Sequence, residues 1–274
     1  MTRGRALILV IVFLYFATVG LAPLSDMLIL FPSTAWIDPG MAHRRNIPFA
    51  GGELETWVAT SRLAEGKGAD AYVLRFYGNA DRAERWVADE AEMFDQRAIE
   101  VWGINYPGFG GSTGPARLAR IGPAALVAFD ALKREAGNRP IIVSGTSMGS
   151  TAALHIAAHR KVAGMILQNP PALREIVLRQ FGWWNLWLLA GPLALKIPRD
   201  LDSVANAKTI HAPAIFLLAG RDEVVLPRFQ EMVVNAYAGE KRVIRLPKAT
   251  HNSALDAGAL TKLHQDLEWL LPRR

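Results

Sequence analysis

The stretch IIVSGTSMGS, at residues 141–150, decides the fold. Apolar residues typical of a buried strand run into a Gly-x-Ser-x-Gly motif, and a run with helical character follows. This order predicts a sharp strand-to-helix turn that lifts the Ser147 hydroxyl above a sheet edge. Gly145 and Gly149 stand where side chains would clash with the turn. The stretch therefore predicts a nucleophilic serine, with the backbone N–H of Met148 at a helix N-terminus as an oxyanion donor.

On both sides of this stretch, short apolar runs alternate with amphipathic segments. A hairpin-like strand at 54–60 follows a Gly-Gly turn. The further strands that this pattern predicts lie at 71–76, 98–104, 140–143, 162–167, 214–218 and 242–246, and the helices at 81–97, 118–136, 150–160, 226–238 and 255–271. Such alternation favours a mainly parallel sheet that is covered by helices on both faces.

A serine hydroxyl is a poor nucleophile unless a base takes its proton and a carboxylate orients that base. Asp222 comes just after the strand at 214–218, and His251 follows the last predicted strand. Both therefore fall at the carboxyl ends of strands, where open α/β sheets build their sites. Glu223 is the nearest rival acid. The remaining histidines fit the pattern less well, so Ser147, Asp222 and His251 are the predicted catalytic residues.

The loop after the strand at 71–76 reads Tyr77-Gly78-Asn79. Gly78 allows the backbone to approach the nucleophile closely, and the N–H of Asn79 is the predicted second oxyanion donor beside that of Met148. Tyr77 is predicted to contact the substrate. An ordinary glycine turn at this position is the alternative interpretation.

Five blocks in this order resemble the α/β-hydrolase superfamily, namely residues 76–80, 105–114, 145–149 and 220–227 and the loop of His251. Within it the sequence is similar to the Bem46-like group of membrane-anchored serine hydrolases, which is related to lipid hydrolases. The resemblance implies an α/β-hydrolase fold with a mainly parallel eight-stranded sheet, a short helical cap insertion, the triad named above and no cofactor. Tyr77 stands where the group usually has His, and Asn105 where it usually has Asp.

Residues 171–209 interrupt the alternation and are predicted to form the cap insertion of a hydrolase domain at 28–274. Trp183, Trp184 and Trp187 lie in this insertion and are predicted to bind a hydrophobic, lipid-like substrate. Packing of these rings onto the sheet is an equally good interpretation. Basic residues of the insertion are predicted either to contact anionic lipid headgroups or to be solvated surface charges.

The first 27 residues form a separate predicted segment. Arg3 and Arg5 precede residues 6–25, which carry no charge and as a helix would span about 30 Å, the thickness of a bilayer core. An uncleaved membrane anchor with the catalytic domain on the extracytoplasmic side is the favoured interpretation. A cleaved secretory signal, with a secreted or periplasmic product, and a buried core helix are the alternatives.

Composition excludes several functions. The chain has 274 residues and no Cys, which rules out thiol chemistry and cysteine-zinc sites. The net charge of +6 is spread along the chain, with no motif for nucleic-acid binding and no cluster of metal ligands. The sequence thus predicts a serine hydrolase of the carboxylesterase or lipase type (EC 3.1.1) that cleaves esters or thioesters through an acyl-serine. A peptidase or amidase, and a catalytically silent membrane-tethered scaffold, are the alternatives.

Overall fold

One mixed sheet organises the chain. The computed structural model describes residues 3–21, 24–181 and 190–271. Its sheet has eight strands in the order β1-β2-β4-β3-β5-β6-β7-β8. The strands are β1 His43–Phe49, β2 Gly52–Thr60, β3 Ala71–Phe76, β4 Ile99–Ile104, β5 Ile141–Thr146, β6 Gly164–Gln168, β7 Ala214–Ala219 and β8 Lys241–Leu246.

The direction of the strands fixes where the site is built. β1 and β2 form an antiparallel hairpin, and β2 runs antiparallel to β4. From β4 onward every neighbouring pair is parallel. The loops that leave β3, β5, β7 and β8 therefore emerge at one edge of the sheet, as the predicted α/β-hydrolase fold requires, and the fold class is confirmed.

Helices cover both faces of the sheet. The helices of the described residues are α1 Arg3–Leu21, α2 Leu24–Ile29, α3 Val87–Glu92, α4 Leu118–Ala136, α5 Met148–His159, α6 Leu173–Phe181, α7 Ala190–Lys196, α8 Ser203–Ala207, α9 Pro227–Ala236 and α10 Ala257–Leu270, with single 3₁₀ turns at Arg62–Ala64, Ala83–Arg85 and Arg199–Leu201. The predicted helix at 81–97 is wrong in extent, because that region holds one 3₁₀ turn and the short α3.

Two apolar clusters lie on opposite faces of the sheet, because successive side chains of a strand point to opposite sides. In β3, Leu74 belongs to the cluster beneath α4 and α5, whereas Val73 belongs to the cluster beneath α3 and α10. Both side chains are at most 1% exposed. This double-sided burial explains why the central strands read as continuous apolar runs rather than alternating ones.

The N-terminal segment forms α1, from Arg3 to Leu21. In the described part of the chain, no helix has both the length and the apolar content needed to cross a bilayer. The predicted membrane-anchoring helix thus finds no support there. The buried-core alternative is wrong, since the side chains from Leu7 to Leu14 are exposed, from 44% at Val12 to 71% at Phe13.

The residues between β6 and β7 carry α6, α7, one 3₁₀ turn and α8, so the described part of the segment predicted as a cap insertion is mainly helical. The predicted substrate contacts Trp183, Trp184 and Trp187 lie outside the described residues.

Candidate active site

The turn between β5 and α5 holds Ser147 in a strained conformation. Its φ of 52° and ψ of −124° lie where L-residues rarely occur. A Cβ on Gly145 would overlap the carbonyl oxygen of Gly149, and a Cβ on Gly149 would overlap that of Phe76. Both glycines are therefore required by contact with backbone. The N–H of Ser147 donates to the carbonyl oxygen of Gln168 at 2.8 Å, which holds the turn against the end of β6.

Asp222 is a buried carboxylate with a full set of donors. It is 2% exposed, and its Oδ1 accepts the N–H groups of Val224 and Val225 at 2.9 and 2.7 Å. Its Oδ2 accepts from Nε2 of Gln230 at 3.1 Å. Neighbouring Glu223 is exposed. Burial and hydrogen bonding thus distinguish Asp222 from the rival acid.

His251 meets that carboxylate. Its Nδ1 lies 2.7 Å from Oδ2 of Asp222. With the carboxylate ionised, Nδ1 carries the proton and Nε2 is left as a base. Ser147 Oγ makes no hydrogen bond to the imidazole or to any other described atom, an arrangement that is common before substrate binds. The structure therefore brings Asp222 and His251 into contact, and it places Ser147 at the same sheet edge.

The predicted oxyanion donors flank the nucleophile. A Cβ on Gly78 would stand 3.8 Å from that of Ser147, so the loop after β3 passes directly beside the serine. Within the described residues, the backbone N–H groups of Asn79 and Met148 have no acceptor. The side chain of Asn79 instead donates to the carbonyl oxygen of Ile29 at 2.6 Å, which fixes the loop against the C-terminal end of α2.

Tyr77 does not face the substrate side of this loop. Its side chain is 3% exposed, and its hydroxyl donates to the Glu90 carboxylate at 2.9 Å. Burial, together with that carboxylate, raises the pKa of Tyr77 well above its ordinary value, so the phenol stays neutral. The same Glu90 pairs with Arg75 at 2.8 Å. The predicted substrate contact at Tyr77 is corrected accordingly, because the ring is buried in a polar cluster.

Two residues near the triad were missed by sequence reasoning. Gln230 lies in α9 and is fully buried, and its Nε2 also donates to the carbonyl oxygen of Val225 at 2.7 Å. Asn169, just after β6, bonds to the loop of His251. Neither lies in a recognisable motif, although an Asn before two prolines at a strand end was a local signal for Asn169.

The described residues contain no group of three or more His, Cys, Asp or Glu that could hold a metal ion.

Similarity to known proteins agrees with this geometry. A family model described as alpha/beta hydrolase fold matches residues 73–271. An uncharacterized protein of Mycobacterium tuberculosis is 27% identical over 189 residues, which is 68% of this chain and 64% of that protein. The matched region thus spans just under two thirds of the relative's length.

Solved structures of low sequence identity share the fold. An esterase of Pyrococcus furiosus aligns with a TM-score of 0.65 at 15% identity, covering 89% of this chain and 97% of the esterase. Est1E from Butyrivibrio proteoclasticus aligns with a TM-score of 0.67 at 14% identity, covering 84% of this chain and 99% of its own.

Proposed function

Because the chain belongs to the alpha/beta-hydrolase family, we propose that it is a serine hydrolase that cleaves carboxylic esters or thioesters through an acyl-serine. The observation that carries the proposal is the 2.7 Å contact between His251 and a buried Asp222, at the same sheet edge as the strained Ser147. A folded protein has little reason to keep a strained serine at this place unless the strain serves chemistry.

The proposed reaction has two halves. His251 Nε2 takes the proton of Ser147 Oγ as that oxygen bonds to the carbonyl carbon, and the N–H groups of Asn79 and Met148 bind the oxyanion. The imidazolium then gives its proton to the leaving alkoxide or thiolate as the acyl bond breaks. Water, activated by His251, attacks the acyl-serine. Ser147 regains its proton from His251 as the carboxylic acid product leaves. Asp222 keeps Nδ1 protonated and stabilises the imidazolium throughout.

A hydrophobic acyl group is the substrate class we favour. Phe31 is 55% exposed, and its N–H donates to the carbonyl oxygen of Asn79 at 3.0 Å. Val224 is 56% exposed and bonds through its N–H to Asp222. Two residues with exposed apolar side chains are thus bonded through their backbone N–H groups to the oxyanion loop and to the acid, and we take this as support for the lipid-like substrate expected of a Bem46-like hydrolase.

The test compares p-nitrophenyl esters of increasing acyl length with aminoacyl p-nitroanilides. We expect turnover of esters to exceed that of anilides, and kcat/KM to rise from acetate to medium-length chains. Ser147→Ala should abolish ester cleavage. Ser144→Ala, which removes another buried serine hydroxyl from the same stretch, should retain ester cleavage. Preferred cleavage of anilides would favour a peptidase, and equal ester turnover by Ser147→Ala would refute the proposed nucleophile.

A further inference from the structure

Asn169 occupies an unusual position in the fold. It directly follows β6, is 0% exposed and has a φ of 48°. This left-handed conformation is strained for most side chains but is tolerated by Asn. Its own N–H donates to the carbonyl oxygen of Leu217 in β7 at 2.9 Å. The backbone of Asn169 is thus locked into the sheet, so its side chain is presented in one direction.

Both polar atoms of that side chain are used. Oδ1 accepts the N–H of Ala219, the last residue of β7, at 2.9 Å. Nδ2 donates to the backbone carbonyl oxygen of His251 at 3.1 Å. One buried amide therefore joins the strand that leads to Asp222 with the residue that supplies the base.

The residue before Asn169 completes this junction. The carbonyl oxygen of Gln168 accepts the N–H of Ser147 at 2.8 Å and the hydroxyl of Ser150 at 3.2 Å. The end of β6 consequently bonds to the nucleophile turn on one side and, through Asn169, to the loops of the acid and the base on the other.

The loop that carries His251 has few other restraints. Residues 247, 248, 250 and 252 are exposed. Its start is tied by the N–H of Arg221, which donates to the carbonyl oxygen of Ala249 at 2.9 Å, and its end turns through a bond between Thr250 and Ser253. At His251 itself, the restraints in the described chain are the ring contact with Asp222 and the backbone contact with Asn169.

We infer that Asn169 is a positioning residue for the catalytic base: its amide holds the His251 backbone so that Nδ1 reaches Asp222 and Nε2 is presented to Ser147. The inference rests on the proposed function, since it assigns a role within that same site. Asn fits the role for two reasons, because its side chain donates and accepts at once and because it tolerates the left-handed φ.

Two variants remove the donor to His251 in different ways. Asn169→Gly keeps the backbone conformation and loses both side-chain bonds. Asn169→Asp keeps the acceptor for Ala219 but turns a carboxylate oxygen toward the His251 carbonyl. Asn206→Asp is the matched control, because its Nδ2 also donates to a backbone carbonyl, that of Asp200, at 2.9 Å in a part-buried site in α8.

Proton NMR of the imidazole tests the inference without relying on turnover. The proton on an Nδ1 that donates a short hydrogen bond to a carboxylate gives a strongly downfield resonance. The resonance is assigned to His251 if it disappears in His251→Gln. We expect this resonance in the native protein and in Asn206→Asp, and its loss or broadening in both Asn169 variants. Circular dichroism and thermal unfolding identify which variants are folded.

Kinetics give the second readout. A shift of about 1 Å in a catalytic group costs about 100-fold, so kcat for ester cleavage should fall about 10- to 100-fold in both variants with KM nearly unchanged. An unaltered resonance with kcat within threefold of native, in either folded variant, would overturn the inference. So would the absence of the resonance from the native protein. A native protein that shows the resonance but cleaves no ester would refute the proposed function alone.

Discussion

Replacing Asp222 by Asn changes one atom at the centre of the site. The carboxylate accepts four donors, with Val224 and Val225 N–H on Oδ1, and Gln230 Nε2 and His251 Nδ1 on Oδ2. An amide offers one acceptor oxygen and one NH₂ group. Whichever way it is turned, two donors lose their acceptor. The backbone pair cannot turn, and Nε2 of Gln230 also donates to the Val225 carbonyl oxygen, so the imidazole is the group that is free to adapt.

The adaptation removes the base. With the amide NH₂ toward the ring, Nδ1 of His251 must accept a hydrogen bond, which moves the proton to Nε2. A protonated Nε2 cannot take the proton of Ser147. The same change in a Ser-His-Asp triad elsewhere lowers kcat by about 10⁴-fold through this wrong tautomer. We therefore expect Asp222→Asn to lower kcat by about 10⁴-fold, equivalent to about 5 kcal/mol at about 1.4 kcal/mol for each factor of ten.

The assay is stopped-flow cleavage of a p-nitrophenyl ester. KM should change little, because Asp222 is only 2% exposed and its side-chain oxygens are occupied by protein donors. Glu223→Gln is the control: it makes the same chemical change at the adjacent, exposed carboxylate and should keep native activity. If Asp222→Asn were within tenfold of native kcat, or if Glu223→Gln were the more damaged variant, the assignment of the acid would be refuted.

Three further outcomes are expected from the packing and charge of the fold. Gly149→Ala places a Cβ against the carbonyl oxygen of Phe76 in β3 and should lower the free energy of unfolding, measured by urea titration, by about 1–3 kcal/mol. An unchanged urea midpoint would contradict the close approach of Gly149 to Phe76. Asn105→Asp puts a third carboxylate between Glu55 and Glu84, both of which accept a hydrogen bond from Asn105 at 2.7 Å. The substitution should lower the free energy of unfolding by about 2 kcal/mol or more at pH 7. A denaturation curve that matches that of the native protein would disprove this. Burial lowers the pKa of His155 from 6.5, so on acidification the unfolded chain binds this proton before the folded chain does, and the stability of the fold decreases as the pH drops below about 6.5. The melting temperature of His155→Gln should therefore depend less on pH between about 7 and 5 than that of the native protein. The same dependence in both proteins would refute this.

The sheet could be predicted from the sequence because its signal is local. Apolar runs long enough for a buried strand alternate with helical segments, and α4 begins and ends at the predicted residues 118 and 136. The predicted helix at 81–97 failed for a non-local reason. Its last third is held in turns by other parts of the chain, as where Arg62 N–H donates to the Asp95 carboxylate at 2.8 Å. Helical periodicity carries no information about such tertiary bonds.

The candidate site divides in the same way. Ser147, Asp222 and His251 could be chosen because each follows a strand whose carboxyl end lies at a common edge. The orientation of the Tyr77 side chain could not be predicted, because it depends on a hydrogen bond to Glu90, and a tyrosine before Gly-Asn is equally suited to contact a substrate. Asn169 and Gln230 form buried hydrogen bonds to residues far away in the sequence, namely His251 and Ala219 for Asn169 and Asp222 for Gln230. Such partners become visible only when the loops are assembled.

The central claim is that Ser147 is an activated nucleophile. It is tested most directly by treating the protein with a fluorophosphonate and locating the adduct by mass spectrometry of its peptides. We predict one phosphonylated residue, Ser147, with labelling lost in Ser147→Ala and strongly slowed in Asp222→Asn. An intact, folded protein that carries no adduct on Ser147, or that is labelled as fast when residue 147 is alanine, would contradict the account.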